Sequence, residues 1–228
     1  MKHRPGFTLT ELLISISILG LLTIIIMANF QHGRRVQELR RAGTELSQNF
    51  RLAQSYTIGG NSVNFCDGYS NVDSYHPCSN NSACDGGNGE CINSVPPGGY
   101  GIHISSPSNY KLFGDTVADN QFDTDTTDYL VLDKYYTDQG ISFPEFRLGD
   151  ETAVVPSTSG YLDITFEPPV GTITFYYNGI EATDSSTNQL INEARILVAS
   201  SFVDEQCRTI TINRVSGQIS ESQSACSL

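Results

Sequence analysis

The sequence predicts an α+β protein, in which one long N-terminal helix packs on a mainly antiparallel β-sheet head. Three observations predict this fold class: an uncharged apolar run near the start, a narrow apolar stripe at helical spacing after it, and alternating strand-like runs beyond residue 99. With 228 residues, the chain is long enough for one sizeable core, or for one domain and a long appendage.

We expect five segments along the chain. A short basic segment occupies residues 1–6, the transmembrane part of the helix occupies 7–30, and the amphipathic part of the helix occupies 31–58. A Cys-rich loop region follows at 59–99, and a β-rich head fills 100–228.

The first part of the helix is predicted from an apolar run between Leu12 and Met27 that no charge interrupts. From Phe7 to Phe30 the segment is long enough to span a bilayer core, which takes a helix of about 20 residues. The sequence therefore predicts one spanning helix near the N-terminus.

The second part of the helix is predicted from an apolar stripe with alternating steps of three and four residues. Its members are Val36, Leu39, Gly43, Leu46, Phe50, Ala53 and Thr57. One helix from Phe7 to Thr57 would be about 75 Å long at 1.5 Å per residue. The glycines at 59 and 60, followed by Asn61, are expected to end it.

Glu11 separates three interpretations of the apolar run. A cleavable secretory signal is disfavoured, because the run is long and no A-x-A site follows it. A plain membrane anchor explains the length but not the acid, which costs about 2.5–3.5 kcal/mol at the bilayer centre and less near its edge. The third interpretation gives Glu11 a role.

The stretch from Gly6 to Leu13, Gly-Phe-Thr-Leu-Thr-Glu-Leu-Leu, resembles the class III signal of type IV prepilins and type II secretion pseudopilins. The resemblance implies that prepilin peptidase cuts after Gly6, which makes residues 1–6 a leader peptide, and that Phe7 becomes the methylated N-terminus. It also implies that the partners are other pilin or pseudopilin subunits, an assembly platform in the membrane and the lipid bilayer. It covers about the first quarter of the chain.

The chemistry of this signal gives Glu11 an assembly role. Cleavage before Phe7 leaves an amine one helical turn from Glu11. In a packed fibre, Glu11 of one subunit can meet the Phe7 amine of a neighbour inside an apolar bundle. Because a buried charge without a partner is costly, this pair would set the register between subunits. The alternative is that Glu11 merely snorkels to the membrane interface.

Two positions depart from the family pattern, and the second of them favours a minor pilin or a pseudopilin over a main shaft subunit. Thr10 stands where an aliphatic residue is frequent, which is a mild change. Ala28 stands where many major pilins have a proline, so the helix lacks a fixed kink there, although Gly20 can soften it.

Charge bias conflicts with the expected membrane topology. Lys2 and Arg4 favour a cytoplasmic N-terminus, but four arginines follow the span and favour the reverse. We place the N-terminus inside, because the family's peptidase acts on the cytoplasmic side, and the head outside, where its cysteines meet oxidising conditions. The expected location is the cytoplasmic membrane and then a pilus or pseudopilus on its outer side.

The formal net charge of −12 is unevenly distributed. Residues 1–57 carry seven Lys or Arg and three Glu, whereas residues 58–228 carry six Lys or Arg and 22 Asp or Glu. Because phosphate binding rests on Lys and Arg, nucleic acid is an unlikely partner for so acidic a head.

The six cysteines all lie in the acidic part, at Cys66, Cys78, Cys84, Cys91, Cys207 and Cys226. No pair has C-x-x-C spacing, and the count is even, so disulfides are favoured over a zinc or thioredoxin-like motif. The first four allow three pairings among themselves and are expected to brace an irregular loop. The last two flank a C-terminal hairpin and could clip it, although pairing across the two groups stays open.

Seven strand-like runs are predicted in the head: Tyr100–Ile104, Tyr110–Phe113, Tyr129–Leu132, Tyr161–Phe166, Thr172–Tyr177, Arg195–Ala199 and Arg208–Asn213. Asn178-Gly179 predicts a tight hairpin turn after the fifth run. The last run, with the segment Ser216-Gly217-Gln218-Ile219 after it, resembles the closing hairpin of pseudopilin H and FimT-like minor pilins.

An acidic loop holds five aspartates near Asn120, and its weak calcium candidates are Asp119, Asp123 and Asp125. The EF-hand pattern is absent, so a solvated acidic loop is the favoured interpretation and no cofactor is expected. Some pseudopilins bind calcium in the head, so the resemblance keeps a calcium site in this loop as an alternative.

The sequence has no motif typical of a nucleophile elbow, a P-loop, a zinc protease or a dinucleotide fold, and its four histidines are scattered. We therefore predict a structural subunit that is not an enzyme, a minor pilin or pseudopilin of a type IV pilus or a type II secretion pseudopilus. The alternative is a single-pass membrane-anchored exported binding protein with a disulfide-braced head. An anchored exported enzyme is the last hypothesis.

Overall fold

The structure is a computed structural model, and it describes residues 8–67, 77–84, 89–123, 128–136, 139–149, 154–156, 160–183 and 189–226. One helix of 50 residues, α1 (Leu9–Ile58), precedes a set of strands that pair antiparallel. The predicted α+β class, with a long helix on a mainly antiparallel head, is confirmed. Gly6 and Phe7, and with them the expected leader, lie outside the described residues.

The strands, in chain order, are β1 (Val63–Asp67), β2 (Glu90–Ser94), β3 (Gly99–Ser106), β4 (Asn109–Asp115), β5 (Tyr129–Tyr135), β6 (Ile141–Ser142), β7 (Glu145–Leu148), β8 (Val154–Pro156), β9 (Leu162–Glu167), β10 (Thr172–Tyr177), β11 (Ile180–Glu181), β12 (Glu193–Ser200), β13 (Val203–Asn213) and β14 (Ile219–Ser224). A 3₁₀ turn occupies Asn81–Ala83. Each of the seven predicted runs falls on a strand.

Two large sheets and one small one form the head. The first sheet has the order β11-β10-β9-β3-β4-β5, and the second has the order β14-β13-β12-β7-β8, with β6 beside β12. The second half of α1 packs against both, chiefly on β3 and β13. The core therefore lies between the helix and the inner faces of the two sheets.

The predicted apolar stripe is the face of α1 that the head covers. Leu39, Leu46, Phe50 and Ala53 are buried on this face. Gly43, also on the stripe, allows β13 to approach closely, because a Cβ at this position would lie 3.2 Å from the Cβ of Arg208. Alternate steps of three and four residues thus correctly predicted which side of the helix meets the sheets.

The C-terminus of α1 is fixed to the first sheet by Thr57. This buried hydroxyl donates to the carbonyl of Phe166 at 2.9 Å and accepts from the backbone N–H of Tyr100 at 3.0 Å. Gly60 follows with a positive φ of 64°, and Asn61 donates back to the carbonyl of Tyr56. The predicted glycine-based end of the helix is confirmed.

The hairpin predicted at Asn178-Gly179 is also confirmed. Tyr177 pairs with Ile180 across a two-residue loop, and both loop residues have positive φ, 51° at Asn178 and 77° at Gly179. That combination is the type I′ turn that asparagine followed by glycine favours.

The Cys-rich region is less irregular than expected. Strands β1 and β2 pair antiparallel within it, with Val63 opposite Ser94 and Asp67 opposite Glu90. The side chain of Asn93 donates to the side-chain oxygen of Asn64 at 2.6 Å. The expectation of an irregular loop was wrong for these strands, because polar cross-strand pairs stabilise them where hydrophobic alternation gives little signal.

Candidate processing and assembly site

The start of α1 is held by a capping box. Thr8 is the N-cap, and its hydroxyl accepts a hydrogen bond from the backbone N–H of Glu11 at 3.3 Å. In return, Oε2 of Glu11 accepts from the backbone N–H of Thr8 at 2.9 Å and from its hydroxyl at 2.8 Å. These reciprocal bonds satisfy backbone donors that the first helical turn leaves without partners.

The capping box fixes where the Glu11 carboxylate points. Its contacts turn the side chain back over the first turn, towards the N-terminal end of α1. Our sequence analysis had missed Thr8 as the residue that orients Glu11. The spacing Thr8-Leu9-Thr10-Glu11 is the signal that could have found it, since it matches the capping-box pattern.

The first half of α1 is apolar and uncovered. Its large hydrophobic side chains from Leu9 to Met27 are 50–75% exposed, and none of them touches the buried core. By length and composition this part of the helix is long enough to cross a membrane. Its surface therefore requires an apolar environment, either lipid or the helices of other subunits.

The hydroxyl groups on this apolar half suit such an environment. Ser15 and Ser17 donate to the carbonyls of Glu11 and Leu13, each at 2.8 Å, and Thr23 donates to the carbonyl of Leu19 at 2.7 Å. Because each hydroxyl finds an acceptor on its own helix, burial in hydrocarbon leaves no hydroxyl donor unsatisfied.

A comparison with protein families bears on this N-terminus. A family described as the prokaryotic N-terminal methylation motif matches residues 1–27. The N-terminus is a prepilin-type signal. The match includes the candidate cleavage position Gly6, the candidate methylated residue Phe7 and Glu11, and it supports a type IV pilin-like or pseudopilin precursor.

The prepilin-type match covers the N-terminal part of the chain, residues 1–27. No curated protein and no solved structure matches the chain. The individual roles predicted for Gly6, Phe7 and Glu11 stay predictions.

The six cysteines form three disulfides, Cys66–Cys84, Cys78–Cys91 and Cys207–Cys226. Cys66 and Cys91 lie opposite each other in the pairing of β1 and β2, and each bonds to a cysteine of the intervening loop. The third disulfide joins β13 to the residues after β14, so it does clip the closing hairpin. The predicted use of the cysteines as disulfides is confirmed.

The crowding of sulfur atoms in the Cys-rich region has a structural explanation. The Sγ atoms of Cys66, Cys78 and Cys84 lie within 4.8 Å of one another, a spacing that can hold a metal ion. A metal ligand must be a thiolate, however, and here each of these sulfurs is bonded to another sulfur. The cluster therefore consists of two adjacent disulfides.

The expectation of a solvated acidic loop was wrong for two of the five aspartates, Asp115 and Asp128, which are fully buried. Asp115 accepts from the backbone N–H groups of Val117 and Ala118 through Oδ1 and from that of Asn120 through Oδ2. These buried carboxylates stabilise the loop, because they accept hydrogen bonds from backbone N–H groups that a tight loop would otherwise leave without acceptors.

Of the calcium candidates, Asp119 and Asp123 are described and Asp125 lies outside the described residues. Oδ1 of Asp119 accepts from the backbone N–H of Gln121 at 3.0 Å. Among the described residues, no three carboxylates here bring their oxygens as close together as the clustered sulfurs. Calcium binding stays an untested prediction.

The buried aspartates make the stability of the head depend on pH. Burial raises the pKa of Asp128 to about 8 and that of Asp115 to about 6. A raised folded-state pKa favours folding while the group is protonated, so the stabilisation present at low pH is lost as pH rises through these values. The free energy of unfolding is expected to fall from about pH 4, near the pKa of an aspartate in the unfolded chain, to about pH 8, the folded-state pKa of Asp128.

An Asp128→Asn variant tests this prediction. Equilibrium urea unfolding of the full chain in detergent is measured across that pH range, and the variant is expected to show a clearly smaller loss of stability than the wild type. Asp119→Asn also removes one carboxylate from this loop. Its unfolding free energy is expected to fall with pH nearly as steeply as that of the wild type. If the unfolding free energy of Asp128→Asn fell with pH as steeply as that of the wild type, buried Asp128 would not be a source of the pH dependence.

Proposed function

We propose that this chain is a minor pilin or pseudopilin of a type IV pilus or a type II secretion pseudopilus. In this proposal prepilin peptidase cuts after Gly6, Phe7 becomes the methylated N-terminus, and the subunit assembles through α1. The observation that carries the proposal is the oriented Glu11 carboxylate at the start of an uncovered apolar helix, within a prepilin-type signal.

Assembly in this proposal is driven by the apolar half of α1. Each large aliphatic side chain that moves from water into an apolar bundle contributes about 1.5–3 kcal/mol. Before assembly, lipid gives the subunit in the membrane the same apolar environment. Burial of apolar side chains therefore does not by itself determine where the subunit sits in the fibre. The pair between Glu11 and the amine of a neighbouring Phe7 provides the selection, because a mismatch leaves a buried charge unpaired.

Two features favour a minor subunit or a pseudopilin. Ala28 replaces the proline that many major pilins carry, and the head holds two disulfides in addition to the C-terminal one. A shaft built from such subunits would also bring together many copies of a strongly acidic head.

A second candidate function, an anchored exported binding protein, is favoured by one groove. This groove of about 240 Å³ lies on the outer face of the second sheet. Arg147 and Arg195 stand opposite each other in its floor, and hydroxyl groups of Thr209, Thr211 and Ser222 line it. Binding in this groove needs no fibre, so incorporation into a fibre distinguishes the two functions.

The amount of a Glu11→Ala variant that enters the fibre tests the assembly role of Glu11. Losing one partner of a buried ion pair costs about 3–5 kcal/mol, so the variant is expected in the sheared fibre fraction at about a tenth of the wild-type level or less. Glu38→Ala is the matched control, since Glu38 lies on the same helix and pairs with exposed Arg34. Quantitative immunoblotting of sheared fibres and membranes provides the measurement.

Normal incorporation of Glu11→Ala would contradict the role of Glu11 in register. A wild-type chain that stays wholly in the membrane, in cells with the cognate machinery, would instead support the anchored binding protein.

A further inference from the structure

One aromatic residue of the head, Phe202, is partly exposed and also contacts α1. It lies in the turn between β12 and β13, and 47% of it is exposed. The guanidinium of Arg35 on α1 stacks over its ring, 4.2 Å from the ring centroid. This contact ties the turn to the helix through a cation–π interaction.

The other neighbour of the ring is a glycine. A Cβ at Gly140 would press against Cε2 of Phe202, so a larger residue there would displace the ring. The backbone N–H of Ser201 donates to the carbonyl of Gly140 at 2.9 Å. The ring therefore lies between α1 and the chain before β6, with about half of it exposed.

The position of Phe202 along the molecule is set by Arg35. Of the described contacts between α1 and the head, that of Arg35 lies closest to the apolar half of the helix. Arg35 follows the predicted end of the span, Phe30, by five residues, which is about 7.5 Å of helix. The headgroup layer extends about 5–8 Å beyond the hydrocarbon core, so Arg35 and Phe202 fall at its depth.

We infer that the turn at Ser201–Phe202, together with Arg34 and Arg35, docks the head on the headgroup layer of the membrane before assembly. This inference rests on the proposed membrane anchor and adds an orientation for the head. An exposed phenyl ring beside arginines is the combination that interfacial membrane segments place at the headgroup boundary. Arginine side chains at this depth reach lipid phosphates.

The charges of the head favour zwitterionic lipid as the occupant. Residues 58–228 carry 22 Asp or Glu and six Lys or Arg, so a strongly anionic surface repels the head as a whole. A zwitterionic headgroup offers a phosphate to Arg34 and Arg35 without that repulsion. Docking is therefore expected without anionic lipid. In the subunit that awaits assembly, the head would then have one orientation relative to the membrane plane.

The chain contains no tryptophan, so a single introduced indole reports on one place. The full chain carrying Phe202→Trp is reconstituted in zwitterionic vesicles whose acyl chains are brominated near the headgroup. Its fluorescence is expected to be blue-shifted and quenched about twofold relative to unbrominated vesicles.

Val215→Trp is the matched control. Val215 is 80% exposed and precedes Gly217, whose carbonyl accepts from the side chain of Gln54. Gln54 lies 19 residues, about 28 Å of helix, beyond Arg35, so this indole is expected to stay unquenched. Ile24→Trp, inside the predicted span, reports on insertion with deeply brominated lipid.

The three variants distinguish the possible failures. Quenching of Ile24→Trp without quenching of Phe202→Trp would overturn the docking of the head and leave the anchor intact. No quenching of Ile24→Trp would overturn the anchor and the docking together. Equal quenching of Phe202→Trp and Val215→Trp would also overturn the inference, because the head would then lie on the membrane without the proposed orientation.

Discussion

Gly6→Val is expected to leave the precursor uncut by prepilin peptidase, with residues 1–6 still attached. The proposed function places the cleavage after Gly6, and a β-branched side chain at that position both restricts the backbone and adds bulk beside the scissile bond. Intact-mass spectrometry of the chain co-expressed with the cognate peptidase provides the measurement.

Gly33→Val is a matched control for this substitution. Gly33 lies on the exposed part of α1, and a Cβ there meets no atom within 4 Å. This variant is expected to be cut like the wild type. Efficient cleavage of Gly6→Val at the same site would contradict the assignment of Gly6.

Phe50→Ala is expected to destabilise the head by about 3–5 kcal/mol, the usual cost of removing a buried phenyl ring. Phe50 is fully buried where α1 meets the core of the two sheets. Because a domain of this size has a total stability of about 5–15 kcal/mol, the loss is a large fraction of it. Urea unfolding of the full chain in detergent measures the effect.

The control for Phe50→Ala is Gln48→Ala, since Gln48 is exposed on the same helix. Its stability is expected to stay within about 0.5 kcal/mol of the wild type. A comparably small change in Phe50→Ala would show that the amphipathic half of α1 is not part of the core that holds the head together.

Features set by residues close together in sequence could be predicted. The apolar stripe containing Leu46 and Phe50 gave the buried face of the helix, and Asn178-Gly179 gave a tight turn. Both depend on local periodicity or on backbone conformation, which a few residues determine. The prepilin-type signal is likewise contained in one short segment.

Features that depend on distant parts of the chain could not be predicted. Strand β7 carries the charged pair Glu145 and Arg147 within four residues, and only its place beside β12 makes it a strand. Asp128 was placed in solvent because aspartates in a polar run are usually exposed, yet the folded loop buries it to satisfy the N–H of Thr116.

The pairing of the first four cysteines was open for the same reason. Sequence spacing allowed three arrangements. The register of β1 and β2 sets Cys66 opposite Cys91, but the course of the intervening chain joins them to Cys84 and Cys78 instead.

The intact mass of the wild-type chain, after co-expression with its cognate prepilin peptidase, tests the central claim most directly. We predict a mass that has lost residues 1–6 and gained one methyl group on the amine of Phe7. A chain that keeps Met1–Gly6 and carries no methyl group, while a known prepilin in the same cells is processed, would contradict the proposed function.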